Sequence, residues 1–187
     1  MAHIVLLLGG ARSGKSRLAE QLAQKLTSRP VLFIATAEVR DEEMKKRVER
    51  HRQTRPSSWR TLEAPFNVGR ALRESYEGEE VVILDCLTLW VANVLTRNFD
   101  TDSEAVAALA EKEVDELLAT LSSLDTTAIL VTNEVGMGLV PPYPLGRVYR
   151  DVLGRVNQQV AAHADEVFLL VAGIPVPIKT GEHSVIQ

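Results

Sequence analysis

Several shortages constrain the chain before any motif is considered. A single cysteine, Cys86, among 187 residues excludes an internal disulfide and fits a reducing compartment. No apolar run approaches the roughly 18 residues that span a bilayer, so no transmembrane helix is expected. Basic residues are in the minority, with 21 Lys and Arg against 25 Asp and Glu and a net charge of -4. That balance argues against a dedicated nucleic-acid binder, whose surface would be largely basic. Internal repeats and low-complexity segments are missing as well. Met1-Ala2-His3 lacks the basic stretch that opens a signal peptide, and a cytoplasmic location is expected. What is left, 45% apolar and 25% charged, is the composition of an ordinary globular protein. The length suits one compact domain over 1–187, with 180–187 expected to be a loose tail.

The pattern of apolar residues alternates between two periods. Ile4–Leu8 is a continuous apolar run that stops at Gly9-Gly10, as a buried parallel strand would. From Ser16 the period becomes helical, with Leu18, Ala19, Leu22, Ala23 and Leu26 on one face and Pro30 beyond the end. Further buried strands are read at Val31–Ala35, Val81–Asp85, Ala128–Thr132 and Val167–Val171, the last closing the set. An extended piece is expected within Trp59–Pro65. Helices are read at Asp41–Arg52, Asn67–Ser75 and Leu87–Leu95. After a polar break, a long helix runs to Leu121, with Val106, Leu109, Val114, Leu117, Leu118 and Leu121 inward. Pro141, Pro142 and Pro144 mark a loop, and Gly146–Ala164 returns to helix. Apolar strands alternating with helices predict an α/β fold, a mostly parallel sheet covered on both faces.

Between the first strand and first helix lies Gly9-Gly10-Ala11-Arg12-Ser13-Gly14-Lys15-Ser16, a complete G-x-x-x-x-G-K-S/T phosphate loop. Its glycines let main-chain N–H groups turn inward around a phosphate chain, and the helix after it points its positive N-terminus at the same place. Lys15 supplies a charge for the β- and γ-phosphates, and Ser16 a hydroxyl for Mg²⁺. The strand-to-helix context makes the fold a P-loop NTPase type, RecA-like. A second group on the metal side is expected at Asp85, which ends four apolar residues at the carboxyl end of a strand, where α/β sheets bind ligands. The alternative is a strand-end aspartate that caps the next helix. Cys86 reads as a small buried residue rather than a nucleophile.

Lys45, Lys46, Arg47, Arg50, Arg52, Arg55 and Arg60 form a basic segment in an acidic protein. Composition alone allows either a solvated helix face or a phosphate site. His51 sits among these arginines, which keep an imidazole neutral at physiological pH, the nucleophilic form. A structural histidine is the other reading. From the residues themselves, the chain is a P-loop enzyme with a basic second element and no named substrate.

Five segments carry a closer likeness: GGARSGKSRLAE at 9–20, FIATAEVRDEEMKKRVERHRQTRPSSWRTLE at 33–63, VVILDCLTLWVANVL at 81–95, LVTNEVGMGLVP at 130–141 and GRVNQQVAAHADEVFLLVAGIPVPIK at 154–179. In this order the chain resembles the bifunctional adenosylcobinamide kinase / adenosylcobinamide-phosphate guanylyltransferase family of cobalamin biosynthesis. The resemblance implies two reactions. A nucleoside triphosphate, ATP or GTP, phosphorylates the aminopropanol hydroxyl of adenosylcobinamide. GMP from GTP is then carried on a histidine and passed to that phosphate. The family's histidine, four residues before Arg-Pro, maps onto His51. Nucleotide contacts map onto Thr36, Ala37 and Glu38, onto Arg52, Gln53, Thr54 and Arg55, and onto Glu63 and Asp85. Glu134 is a candidate for orienting the attacking hydroxyl, or a structural residue. The resemblance also implies a homo-oligomer, with a trimer as the expected form.

The likeness breaks at Pro142-Tyr143-Pro144-Leu145, where the family usually has polar residues, and at the extension Thr180–Gln187. Other readings have less to support them. A regulatory GTPase would carry Asn-Lys-x-Asp, but the chain has Thr132-Asn133-Glu134. A kinase of another small metabolite leaves His51 idle. Oligonucleotide binding by the basic segment would depend on salt and runs against the overall acidity.

Overall fold

The computed structural model describes residues 1–38, 42, 55–98, 102–181 and 184–186. Its centre is a seven-stranded sheet of β1 (His3–Gly9), β2 (Leu32–Ala35), β3 (Arg60–Glu63), β4 (Val81–Asp85), β5 (Thr127–Val131), β6 (Glu166–Val171) and β7 (Ile174–Lys179). They lie in the order β3-β2-β4-β5-β1-β6-β7. Neighbours are parallel except β6 and β7, which form an antiparallel hairpin at one edge. The described helices are α1 (Lys15–Leu26), α2 (Val68–Ser75), α3 (Leu87–Arg97), α4 (Ser103–Ser122) and α5 (Pro144–His163).

Side chains alternate across a strand, and each sheet face therefore collects every second residue. Leu6, Ile34, Leu84 and Leu130 point into a core closed by α2 to α5, where Trp90, Leu117 and Val156 are fully buried. Leu7, Phe33, Ile83 and Ile129 point the other way, onto Ala19, Leu22 and Ala23 of α1. Strands buried on both faces have to be apolar throughout, which is why they read as continuous runs.

The structure departs from the sequence pattern in four places. Helix α5 begins at Pro144, inside the expected loop. A proline at the first helical position loses no hydrogen bond, and its fixed φ suits the helix. Strand β7 is an additional strand despite Pro175 and Pro177, tolerated because its outer side has no ladder to complete. Leu109, expected inward, is 36% exposed, off the stripe formed by Val106, Ala110, Val114 and Leu117. The supposedly loose tail folds back at Ser184–Ile186. The Val185 N–H and the Ser184 hydroxyl bond to Glu166, while Val185 and Ile186 pack on the α1-side core. The expected helix Asp41–Arg52 lies outside the described residues except for Glu42.

Candidate phosphoryl-transfer site

The phosphate loop, Thr36, Glu63, Asp85 and Glu134 gather at the carboxyl ends of the parallel strands. Strand β1 runs into the phosphate loop at Gly9. A Cβ there would stand 2.6 Å from the Leu170 carbonyl oxygen and 2.7 Å from the Ser13 hydroxyl, so only glycine fits. Gly14, at φ 97°, takes the left-handed turn that starts α1 at Lys15. The tip of the β6–β7 hairpin braces the loop through the Gly173 N–H to the Ser13 carbonyl, 3.0 Å. Ala11 and Arg12 are exposed, while Ser13 and Ser16 are half-buried.

Lys15 is 6% exposed and folds back over its own loop. Its Nζ donates to the Gly9 carbonyl at 2.9 Å, the Gly10 carbonyl at 2.6 Å and the Ser13 hydroxyl at 3.3 Å. Burial pushes the ammonium below the usual lysine range, against the pull of Asp85. The cation is therefore held by main-chain dipoles and a hydroxyl, and a phosphate oxygen is a better partner than any of these.

Asp85 ends β4, with Ala35 of β2 and Val131 of β5 beside it. Val131 in turn pairs with Leu7 of β1, so one strand separates the aspartate's strand from the phosphate loop's. At strand spacing this puts the two backbones ~10 Å apart, a gap that side chains from both sides can close. Glu63 continues the same row beyond Ala35 and is exposed. Thr36 is fully buried and joins β2 to β4: its hydroxyl donates to the Cys86 carbonyl at 2.7 Å and accepts from the Cys86 N–H at 2.9 Å. Asn93 of α3 holds the Thr36 carbonyl at 2.8 Å and that of Pro65 at 3.2 Å. This network fixes the main chain immediately after Asp85. Ala37 and Glu38 follow, half-buried. Burial pushes the Cys86 thiol up to about 12, with Asp85 adding to the rise, which leaves it a packing residue rather than a nucleophile.

Glu134 also arrives at the loop, its N–H donating to the Gly9 carbonyl at 3.1 Å. The residue before it is pinned from two sides. The Asn133 N–H meets the Thr88 hydroxyl at 2.7 Å, and the Asn133 carbonyl accepts from the Asn157 amide at 3.1 Å. The Thr132 hydroxyl donates to the Asn157 amide oxygen at 2.7 Å.

The basic segment divides. Arg55 lies on the α1 side, its guanidinium 3.3 Å from the centre of the Phe33 ring. Arg60 starts β3 at the opposite end of the sheet and pairs with Glu77 at 2.9 Å and with buried Glu79, so it serves the fold. His51, Arg52, Gln53 and Thr54 lie outside the described residues. Pattern reading missed Glu20. It stands one helical turn beyond Ser16, half-buried, and burial raises its carboxyl above the ordinary value. Arg55 counters that rise and Asp85 adds to it. The i, i+4 spacing from Ser16 was the available signal.

Ser16 and Asp85 present a hydroxyl and a carboxylate, the hard oxygen donors Mg²⁺ prefers, and Asp85 acts electrostatically on buried Lys15 in the same site. The residues present therefore fit this ion. Among the described residues, no group of three His, Cys, Asp or Glu side chains forms a metal cage. A P-loop ion, shared with phosphates and water, does not need one. No helix of the described residues is long and apolar enough to cross a membrane.

Comparison with known proteins agrees with this geometry. An ATPase from a type III secretion system of pathogenic bacteria superposes with a TM-score of 0.56 at 12% identity, over 90% of this chain and 51% of that one. The shared fold is the RecA-like P-loop fold. The bifunctional adenosylcobalamin biosynthesis protein CobU of Escherichia coli (strain K12) is 44% identical over 185 residues, 94% of this chain and 99% of its own length. CobP of Pseudomonas aeruginosa, described in the same words, is 43% identical over 174 residues, 93% of this chain and 96% of its own. The family model described as cobinamide kinase / cobinamide phosphate guanyltransferase matches residues 5–178, from the first strand through the hairpin that braces the phosphate loop. With a complete phosphate loop, a strand-end aspartate and a match along nearly its whole length, the chain belongs to the cobinamide kinase / cobinamide phosphate guanyltransferase family.

Proposed function

We propose that the protein phosphorylates the aminopropanol hydroxyl of adenosylcobinamide and then transfers GMP from GTP to the new phosphate, giving adenosylcobinamide-GDP. The observation that carries this reading is Lys15, buried over its loop with only carbonyl and hydroxyl partners, in a chain of this family. In the kinase step the hydroxyl oxygen attacks the γ-phosphorus of ATP or GTP. The bond to the β-phosphate oxygen breaks, and the nucleoside diphosphate leaves. Gly9 to Ser16 cradle the phosphates, Lys15 meets the charge developing on the γ-phosphoryl oxygens, and Glu134, whose main chain is bonded to Gly9, orients the attacking hydroxyl, which gives its proton up to water. Ser16 and Asp85 would hold Mg²⁺, whose contribution when bound is to neutralise phosphate charge.

In the second step a ring nitrogen of His51 attacks the α-phosphorus of GTP. A phosphorus–nitrogen bond forms, the bond to the β-phosphate oxygen breaks and pyrophosphate leaves. The substrate's phosphate oxygen then attacks the same phosphorus and frees the imidazole. Support for His51 comes from its place four residues before Arg55-Pro56 in the family pattern and from the arginines around it. Ala37, Glu38, Arg52, Gln53, Thr54, Arg55, Glu63 and Asp85 complete the nucleotide site in this reading, and Thr36, fully buried, acts only by fixing the main chain beside Asp85. The enzyme works in the cytoplasm as a homo-oligomer, a trimer.

The test is covalent labelling. The protein is incubated with Mg²⁺ and GTP labelled at the α- or the γ-phosphorus, denatured, and assayed for label on the chain. Acid-labile label from the α-position alone, absent from His51→Ala, is expected. Label that persists in His51→Ala, or no label at all, would remove His51 as the nucleophile.

A further inference from the structure

One polar side chain lies among the apolar ones on the inner face of α5. Val152, Leu153, Val156 and Val160 are buried there, and Asn157 is buried with them. A buried amide needs partners, and the partners of this one lie beside the phosphate loop.

Strand β5 ends at Val131, but its main chain continues along β1. The Thr132 N–H donates to the Leu7 carbonyl at 3.0 Å and the Glu134 N–H to the Gly9 carbonyl at 3.1 Å. Successive residues of an extended chain face opposite sides, so the N–H and carbonyl of Asn133 face away from β1, toward β4. That neighbour has already ended, because Asp85 pairs with Val131 and α3 starts at Leu87. Two main-chain groups therefore have to find partners other than a strand. Thr88 and Asn157 supply them. The Asn133 N–H donates to the Thr88 hydroxyl at 2.7 Å, and the Asn133 carbonyl accepts from the Asn157 amide nitrogen at 3.1 Å. The Asn157 amide oxygen accepts from the Thr132 hydroxyl at 2.7 Å. A side-chain amide carries the donor and acceptor of a peptide group, and Asn157 stands in for the missing strand.

What this extension carries is Glu134. Its carboxylate is turned by a bond from the Gly136 N–H. The loop that follows returns as α5, where the Arg147 guanidinium donates to the Pro141 carbonyl at 3.1 Å and the Pro142 carbonyl at 2.9 Å. One helix thus grips the segment at both ends, through Asn157 before Glu134 and through Arg147 after the loop. Transfer rates depend steeply on placement, and a shift of about 1 Å can cost about 10²-fold.

We propose that Asn157 is a positioning residue for phosphoryl transfer: its amide fixes the extension of β5 so that Glu134 meets the acceptor hydroxyl. This role rests on the reading of Glu134 given above, as the residue that orients that hydroxyl. The test compares the full chain with Asn157→Leu, Thr132→Val, Glu134→Gln and the double variant Asn157→Leu/Glu134→Gln. Phosphoryl transfer is measured with ATP or GTP and adenosylcobinamide, and covalent labelling with α-labelled GTP alone. Asn157→Leu lowers kcat for phosphoryl transfer about tenfold or more. The KM for the nucleotide and the rate of α-labelling stay unchanged, because neither involves the hydroxyl. Thr132→Val removes one of the two bonds to the Asn157 amide and leaves the main chain's own, so its loss is smaller and of the same kind. The double variant is no slower than Glu134→Gln, since both changes remove one placement. Should Asn157→Leu fail to fold, Thr132→Val decides alone. Unchanged phosphoryl transfer overturns the role, as do additive losses in the double variant. A folded variant that loses phosphoryl transfer and α-labelling equally also overturns it, and makes Asn157 a residue of the fold alone. An unaltered protein that does not phosphorylate adenosylcobinamide, or a Glu134→Gln protein that does so at full rate, overturns the reading beneath and the positioning role with it.

Discussion

The two ends of the one parallel sheet are built on opposite principles. At the amino end, several charged side chains are answered by one another. His3 reaches Glu166 at 2.8 Å, and Glu166 also accepts from Ser184 and from the Val185 N–H. Arg60 spans Glu77 and Glu79, and Arg29 meets Glu80 at 2.9 Å. At the carboxyl end, Lys15 is buried without a carboxylate among its hydrogen-bond partners, and burial raises the carboxyl of half-buried Glu20 above its ordinary value. The first end is arranged for stability. The second leaves charge incompletely answered, so that a phosphate can answer it, and that has a cost in stability. Identical strands thus serve two purposes according to which of their ends is considered.

The sharpest way to break this comparison is Lys15→Met. Removing the charge that meets the γ-phosphoryl group should lower kcat for phosphoryl transfer by about 10²–10³ or more. The urea midpoint should hold or rise. The Gly9 carbonyl keeps its bond from Glu134 and the Gly10 carbonyl its bond from Ser13, so no buried acceptor is stranded. A large loss of stability would show that Lys15 is a structural lysine. Next in size is Glu166→Ala at the other end. It leaves His3, Ser184 and the Val185 N–H without their common acceptor, and unfolding free energy should fall by about 1–3 kcal/mol. Transfer kinetics should not change. A drop in kcat without a drop in stability would join the two ends functionally and refute the division.

Period and punctuation were enough to read the carboxyl end's main features. Gly9 to Ser16 stand out because a glycine-rich loop carrying Lys-Ser between strand and helix suits a phosphate and little else. Asp85 stands out because a carboxylate directly after four apolar residues has to lie at a strand's end. Glu20 was hidden because its neighbours Arg55 and Asp85 come from distant segments, and no window of sequence contains all three. Thr36 could be mapped as a contact, but its buried hydroxyl bridging β2 and β4 depends on strand order, which local pattern does not encode. The amino end was nearly illegible for the same reason: His3 and Glu166 are 163 positions apart. Strand β7 was missed on a sound rule, since proline argues against a central strand and only the unknown edge position excuses it.

A smaller effect tests the cost directly. Burial raises the Glu20 carboxyl above its ordinary value, so the ionised form destabilises the fold at neutral pH. Glu20→Gln should therefore raise the urea midpoint at pH 7. The gain should shrink as pH falls from the raised folded value toward the ordinary carboxylate range, where the native carboxyl becomes neutral too. A midpoint that is unchanged or lower at neutral pH would show that the carboxylate is well accommodated, and that this end is not strained.

The smallest effect has the opposite sign and comes from the other end. The hydrogen bond from Thr27, and then Arg29, pushes the Glu80 carboxyl below its ordinary value. Its stabilising contribution is complete above the ordinary carboxylate pKa and is lost as pH falls through the lowered folded value. The side chains of Arg29 and Glu80 are 66% and 48% exposed, so solvent and salt screen the pair and the effect on the midpoint is slight. Thr27→Val should flatten the acid limb of the stability curve. High salt should remove the Arg29 share but not the Thr27 share, because a hydrogen bond from a neutral hydroxyl is not screened in the same way. Carboxylates at opposite ends of one sheet, Glu20 and Glu80, would then drive stability in opposite directions over the same acid range. An acid limb unaltered by Thr27→Val would show that the Thr27 hydroxyl does not hold the Glu80 carboxyl below its ordinary value.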